Sequence, residues 1–294
     1  MFINSNIRVK IDEESRTLWV GIDLKDKLYY SIDFLENLSC VRDLIVYIIR
    51  KEQIRYVVAY SVNPGVWNMG GDLEFFVHCI RNKKRTDLQD YAYKCIDLVY
   101  QFNNNYETDV FSACVVQGNA FGGGFESALS GNFILAEESA KFSFPEMIFG
   151  TFPGMGAYSI LTKKIGYRKA SEMIQSNKTF TAREICEMGI IDRVCENGTG
   201  LLQMATLIHR GELEKYRQDR FLNICNRVTR SELLEIVNLW LDRAFSLGEE
   251  NLSRMMKISG FQKRKLAQEK AVSPQKEMNE RLEQINELIN KSFE

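Results

Sequence analysis

Histidine is nearly missing from this chain of 294 residues, with only His78 and His209 present. That scarcity argues against a histidine-based triad or metal centre. Proline is also scarce, at four residues, and builds no proline-rich linker. Cysteine is present but unorganised. Cys40, Cys79, Cys95, Cys114, Cys186, Cys195 and Cys225 are scattered, odd in number and contain no CxxC pair. They read as reduced thiols of a cytoplasmic protein, not as a disulfide frame or zinc site. No apolar run approaches membrane-spanning length, and residues 1–15 lack the apolar stretch of a signal peptide. The expectation is a protein with no membrane partner. No sign of charge dominates either: a net charge of −1 argues against wholesale nucleic-acid binding.

What is there is ordinary globular material, 45% apolar and 26% charged. The length suits one large domain, or a core with a smaller helical part. The informative stretch runs over residues 118–156, GNAFGGGFESALSGNFILAEESAKFSFPEMIFGTFPGMG. An apolar run of strand length, residues 111–116, precedes it. The glycines then open a helix expected over 123–130. A strand running into such a start presents unpaired backbone N–H groups, which suit an anion or a developing oxyanion. Glu126 follows three residues after Gly123. Glu146 ends another strand-like run, residues 140–144, so it can return to the same pocket.

The rest of the chain supports this arrangement. Ile7, Val9 and Ile11, then Leu18, Val20 and Ile22, alternate with polar residues around an acidic turn, which predicts a β-hairpin. Helical spacing follows over 31–49, with Ser31 as N-cap. A buried strand is expected at 56–60, then a glycine-rich loop over 61–72 and a helix starting at Asp72. This is a second strand–glycine–helix unit. Further helices are expected over 87–102, 157–165, 168–175 and 181–188, the last with a Thr181/Glu184 capping box. A short strand over 190–194 comes next. From residue 201 the pattern is almost entirely helical, ending in a charged helix over 275–293. The domain division falls near residue 200: a core over 1–200 and a helical region over 201–294.

At these residues the chain resembles the crotonase (enoyl-CoA hydratase/isomerase) superfamily. NMGGDL at 68–73 resembles that family's first oxyanion loop, GNAFGGGFE at 118–126 its second loop and first glutamate, and FPEMIFGTFPGMG at 144–156 its second glutamate segment. TFTAREICEMGIIDRV at 179–194 resembles the helix and strand that close its core. The finer resemblance is to the diffusible signal factor synthases, carried by NMGGDLEFF, by FGTFPGMGAYS and by a glutamate at both positions.

The resemblance implies an α/β fold: a spiral of ββα units forming two sheets surrounded by helices, followed by a C-terminal helical region. It implies a homotrimer, or a hexamer as a dimer of trimers. It implies Gly71 and Gly123 as an oxyanion pair, with Glu126 and Glu146 as the acid–base pair. Trp67, Met69, Met147, Phe149, Phe152 and Met155 are candidates for the acyl-binding surface, although such residues are more often plain core. The expected reaction is dehydration of a 3-hydroxyacyl-acyl-carrier-protein to the cis-2-enoyl thioester, followed by hydrolysis to the free signal acid. Which glutamate is acid and which is base stays open at this point. No resident cofactor or metal is expected, since the substrate rides on the phosphopantetheine of acyl carrier protein or CoA. The basic residues Arg81, Lys83, Lys84 and Arg85, and the run at 263–265, are candidates for meeting that carrier; a solvated surface is the blander reading. The alternatives are an enoyl-CoA hydratase on CoA thioesters, and a crotonase-fold binding protein that regulates a sensor histidine kinase.

Overall fold

A computed structural model describes residues 6–63 and 65–272 of the chain. The helix expected over 275–293 lies outside the described residues. The chain opens with an antiparallel hairpin of β1 (Ile7–Asp12) and β2 (Thr17–Ile22), paired from Ile7 opposite Ile22 to Asp12 opposite Thr17. Asp12 shapes its turn, accepting from the Glu14 N–H at 3.2 Å and the Ser15 hydroxyl at 2.6 Å. Helix α1 (Ile32–Lys51) follows, and the Ser31 hydroxyl caps it by accepting from the Phe34 N–H at 3.2 Å. Its buried face carries Phe34, Leu35, Val41, Ile45 and Ile49, at the spacing expected from the sequence.

The chain then winds as a spiral. The first turn is β3 (Tyr56–Ser61), β4 (Gly65–Asn68), α2 (Leu73–Arg81) and α3 (Arg85–Asn103). The second is β5 (Phe111–Val116), β6 (Gly118–Phe121) and α4 (Gly123–Leu129). The third is β7 (Phe133–Glu137), β8 (Lys141–Ser143) and a 3-10 helix, Pro145–Phe149. Each turn gives one strand to each of two sheets. The six-stranded sheet has the order β1-β2-β3-β5-β7-β10 and the four-stranded sheet β4-β6-β8-β9, where β9 is Thr179–Thr181 and β10 is Arg193–Cys195. The strands joining successive turns pair in parallel. The α/β spiral expected from the resemblance is therefore the fold observed.

The six-stranded sheet is covered on both faces, which explains why its strands read as nearly continuous apolar runs. Val57, Ala59, Cys114, Val116 and Ile134 pack into the main core, while Tyr56, Val58, Phe111, Val115 and Leu135 pack against α8 (Gly200–His209). Helices α5 (Ala157–Ile165), α6 (Tyr167–Gln175) and α7 (Ala182–Glu187) complete the spiral, and the Thr181/Glu184 capping box is present. Then come α9 (Glu214–Gln218), α10 (Arg220–Cys225), α11 (Arg230–Phe245) and α12 (Glu249–Val272). The C-terminal helices return to the spiral. Arg230 of α11 pairs with Asp97 of α3 at 2.8 Å, and Lys263 of α12 pairs with Glu74 of α2 at 2.6 Å. Among the described residues, no helix is long and apolar enough to cross a membrane.

Two local expectations are corrected. The segment 61–72 is not one loop, because β4 sits inside it and pairs with β6. Four residues beside Pro64 and two glycines carry too little pattern to read as a strand, yet Val66 and Trp67 are buried. The strand expected over 190–194 begins only at Arg193. Ile190 and Ile191 are buried ahead of it, and the Asp192 carboxylate accepts from the Ile134 N–H at 2.8 Å.

Candidate active site

Two glycine turns and two carboxyls meet in one cavity of about 70 Å³. The first turn is held from outside. Met69 N–H donates to Leu28 at 2.7 Å, and Tyr30 N–H donates to the Gly70 carbonyl at 2.9 Å. Gly70 adopts φ +98°, a conformation side chains disfavour, and its N–H donates to Asn68 Oδ1 at 2.7 Å. The second turn lies between β6 and α4. Gly122 takes φ +52° and ψ −126°, and its N–H donates to Ser143 at 2.9 Å. A Cβ on Gly122 would collide with Glu146 Oε1, so glycine is what lets that carboxyl lie against the turn. A Cβ built on Gly123 would stand 3.9 Å from the Gly71 nitrogen. The two glycines are thus neighbours in space across 52 residues of sequence. The positive φ falls on Gly122 and not on Gly123.

The carboxyls are treated differently by their surroundings. Glu126 is 2% exposed, and its Oε1 accepts from the Met155 N–H at 2.7 Å and the Ala157 N–H at 3.0 Å. Burial raises its pKa, while these backbone donors and that of Gly156 favour the anion and limit the rise. Glu146 projects from the 3-10 helix that Pro145 starts. The residue as a whole is half-buried, but its Oε2 is fully buried and has no hydrogen-bond partner among the described residues. Burial first, and the Glu126 charge second, push its pKa well up. The backbone donors thus suit an ionised Glu126, and the partnerless buried oxygen suits a neutral Glu146.

The cavity brings together Gly71, Gly123, Glu126, Glu146, Phe149 and Met155 of the residues singled out in the sequence. It leaves four outside. Trp67 faces a different cavity and donates from Nε1 to the Gly124 carbonyl at 3.0 Å. Met69 contributes backbone contacts, Phe152 stacks edge-on with Tyr158, and Met147 is 38% exposed. Other lining residues escaped the sequence reading: Tyr91 and Cys95 on α3, and Val237 and Trp240 on α11. The α3 spacing marks a buried face without saying what it faces. Trp240 lies far along the chain; the local trace of it is Gly154, where a Cβ would come within 2.8 Å of its ring.

Much of the basic patch is paired within the fold. Arg81 pairs with Glu249 at 2.7 Å and Arg85 with Asp242 at 2.5 Å, fastening the C-terminal helices, and Lys84 lies 3.8 Å from Asp87. Lys263 is likewise committed to Glu74. Four of the cations considered for carrier docking therefore have internal partners.

A ββα spiral carrying two carboxyls beside paired glycine turns defines the class of protein. Residues 39–217 match the family model described as enoyl-CoA hydratase/isomerase, and the chain belongs to that family. It is 42% identical over 79 residues to a probable enoyl-CoA hydratase of Rhizobium meliloti, covering 27% of this chain and 31% of that protein. It is 34% identical over 119 residues to the mevalonyl-coenzyme A hydratase SIDH of Beauveria bassiana, covering 40% of each. The chain thus spans less than half the length of these curated relatives. Among solved structures, it is similar to an enoyl-CoA hydratase from Bacillus halodurans, with a TM-score of 0.69, 19% identity, and coverage of 86% of this chain and 99% of that one. It is also similar to DspI of Pseudomonas aeruginosa, with a TM-score of 0.62, 22% identity, and coverage of 88% and 97%. At those identities the likeness is one of fold.

Proposed function

We propose that this chain is a hydratase of 2-enoyl thioesters carried on CoA. The observation that supports it is the unequal treatment of the two carboxyls. Glu126 has backbone donors that suit an anion, and Glu146 has a buried oxygen without a partner, which suits the acid. That resting state is set for hydration. Glu126 takes a proton from water as the water oxygen bonds to C3 of the enoyl chain. The C2=C3 electrons shift to the thioester oxygen, which gains negative charge beside the N–H groups of Gly71 and Gly123. The carbonyl re-forms as C2 takes the proton of Glu146. Each such donor contributes roughly 2.7–4 kcal/mol in a protease precedent. The product state has Glu126 protonated and Glu146 ionised, which is the state that dehydration of a 3-hydroxyacyl thioester needs. One site therefore runs both directions. The names of the curated relatives, hydratases of CoA thioesters, support CoA as the carrier.

A second reading rests on the motifs NMGGDLEFF and FGTFPGMGAYS. In it the same pocket dehydrates a 3-hydroxyacyl-acyl-carrier-protein to a cis-2-enoyl thioester, then directs water at the thioester carbonyl to release the acid. Arg81, Arg85 and Lys263 each stand beside an acidic partner, which lowers the net positive charge they offer an acidic carrier. Trimeric assembly belongs with either reading, and docking to a sensor kinase would be an added role. Incubation with crotonoyl-CoA, with products resolved by mass spectrometry, separates the readings. Formation of 3-hydroxybutyryl-CoA supports the hydratase. Free acid from a 3-hydroxyacyl carrier protein, with crotonoyl-CoA untouched, would overturn it.

A further inference from the structure

A second cavity, of about 100 Å³, lies between α1, α3 and the six-stranded sheet, and shares no lining residue with the acid–base cavity. Its depth is formed by buried Val20, Leu35, Ile45, Ala59 and Trp67. Most polar atoms of that inner wall are already engaged; the Tyr106 hydroxyl, which also lines the cavity, makes no hydrogen bond among the described residues. Tyr30 donates its hydroxyl to Ser127 Oγ at 2.6 Å, Trp67 Nε1 donates to the Gly124 carbonyl, and Ser130 donates to the Ser127 carbonyl at 2.6 Å. What fits the depth is an apolar group that asks for no hydrogen bond. An apolar cavity of about 150 Å³ takes benzene, so this one has room for a chain of a few carbons.

The rim has a different character. Arg42 is exposed, while Lys94, Asp97 and Gln101 are half-buried. Asp97 is neutralised by Arg230 at 2.8 Å. Among the described residues Arg42 pairs only with its chain neighbour Asp43, in an exposed contact of the kind that contributes little. Lys94 has no ion pair among the described residues. Two cations thus stand at the mouth of an apolar hole.

We propose that this cavity is a second ligand site, taking the alkyl tail of a straight-chain carboxylate whose head sits between Arg42 and Lys94. The inference is independent of the acid–base reading, because the two cavities share no lining residue. The carboxylate gains charge-assisted hydrogen bonds at the rim, and the tail leaves water.

Isothermal titration calorimetry of the full chain tests this, with hexanoate, 1-hexanol and hexylamine as probes. Hexanoate should bind at one site with crotonoyl-CoA present in excess. The double variant Arg42→Glu/Lys94→Glu, altered only at the rim, should bind hexanoate about tenfold or more weakly, equivalent to ~1.4 kcal/mol or above. Its affinity for 1-hexanol should not change, and hexylamine should bind the parent chain more weakly than hexanoate does. Ala59→Leu should block hexanoate and 1-hexanol alike; if that variant does not fold, the rim variant decides. Absence of saturable hexanoate binding, equal affinity in the rim variant, or displacement of hexanoate by crotonoyl-CoA would each overturn the proposal.

Discussion

The side-chain amide of Gln262 donates to the carbonyl oxygens of Met69, at 2.9 Å, and Gly71, at 3.3 Å. These two carbonyls flank the peptide that carries the Gly71 N–H, and that peptide's own carbonyl, on Gly70, accepts from Tyr30. A helix almost two hundred residues downstream therefore fixes the first glycine turn. Gln262 is 4% exposed, so little water competes for these bonds.

Gln262→Ala should lower kcat for hydration by up to about thirtyfold, from two hydrogen bonds each contributing ~1 kcal/mol. Substrate KM should change little, because the turn is displaced and not deleted. Gln262→Glu, of the same shape but without the amide donors, should behave alike. Steady-state kinetics with circular dichroism checks this, and parent-like kcat in both variants would remove Gln262 from the account.

Much of this was legible in the sequence, for definite reasons. The hairpin, α1 and the capping box at Thr181 depend on local pattern and cap chemistry, and they stand where those patterns put them. The glycine turns and both glutamates were visible because the residue types are restrictive. What could not be read was long-range. Tyr91, Trp240 and Gln262 reach the site from elements whose spacing reveals a buried face but not its neighbour. The role of Arg81 and Arg85 was hidden for the same reason, since their partners Glu249 and Asp242 lie more than 150 residues away.

The two glycines after β6 should respond differently to alanine. Gly122→Ala puts a side chain at φ +52° and into Glu146 Oε1, so it should cost roughly 1–2 kcal/mol in backbone strain alone and remove activity. At Gly123 the new methyl would meet only Met155 Sδ, at 2.9 Å, the movable part of a flexible side chain. Gly123→Ala should keep its melting temperature nearer to the parent and retain more activity. The reverse order in thermal melts would contradict the assignment of strain to Gly122.

Burial raises the pKa of both carboxyls above the unfolded value, which fixes the sign of a pH effect. Their neutral forms stabilise the fold fully below the ordinary glutamate range. That contribution is lost as pH rises through the raised values, at about 1.4 kcal/mol for each tenfold change in the acid dissociation constant between the unfolded and folded chain. Glu146→Gln, neutral at every pH, should therefore gain stability relative to the parent between pH 5 and pH 8. A parent-to-variant difference in melting temperature that stays constant over that range would show that Glu146 is not held neutral by burial.

The division of labour between the carboxyls is tested most directly by deuterium exchange at C2 of butyryl-CoA, a saturated thioester that cannot add water. Exchange needs only the group that handles the C2 proton, in the ionised state it holds after hydration, with the oxyanion site beside it. Glu146→Gln should lose exchange and hydration together, each falling by about 10²–10⁴-fold as for a missing general acid or base. Glu126→Gln should lose hydration to a similar degree yet keep C2 exchange. Loss of exchange in Glu126→Gln with retention in Glu146→Gln would contradict the assignment of Glu146 as the acid at C2 and Glu126 as the base for water.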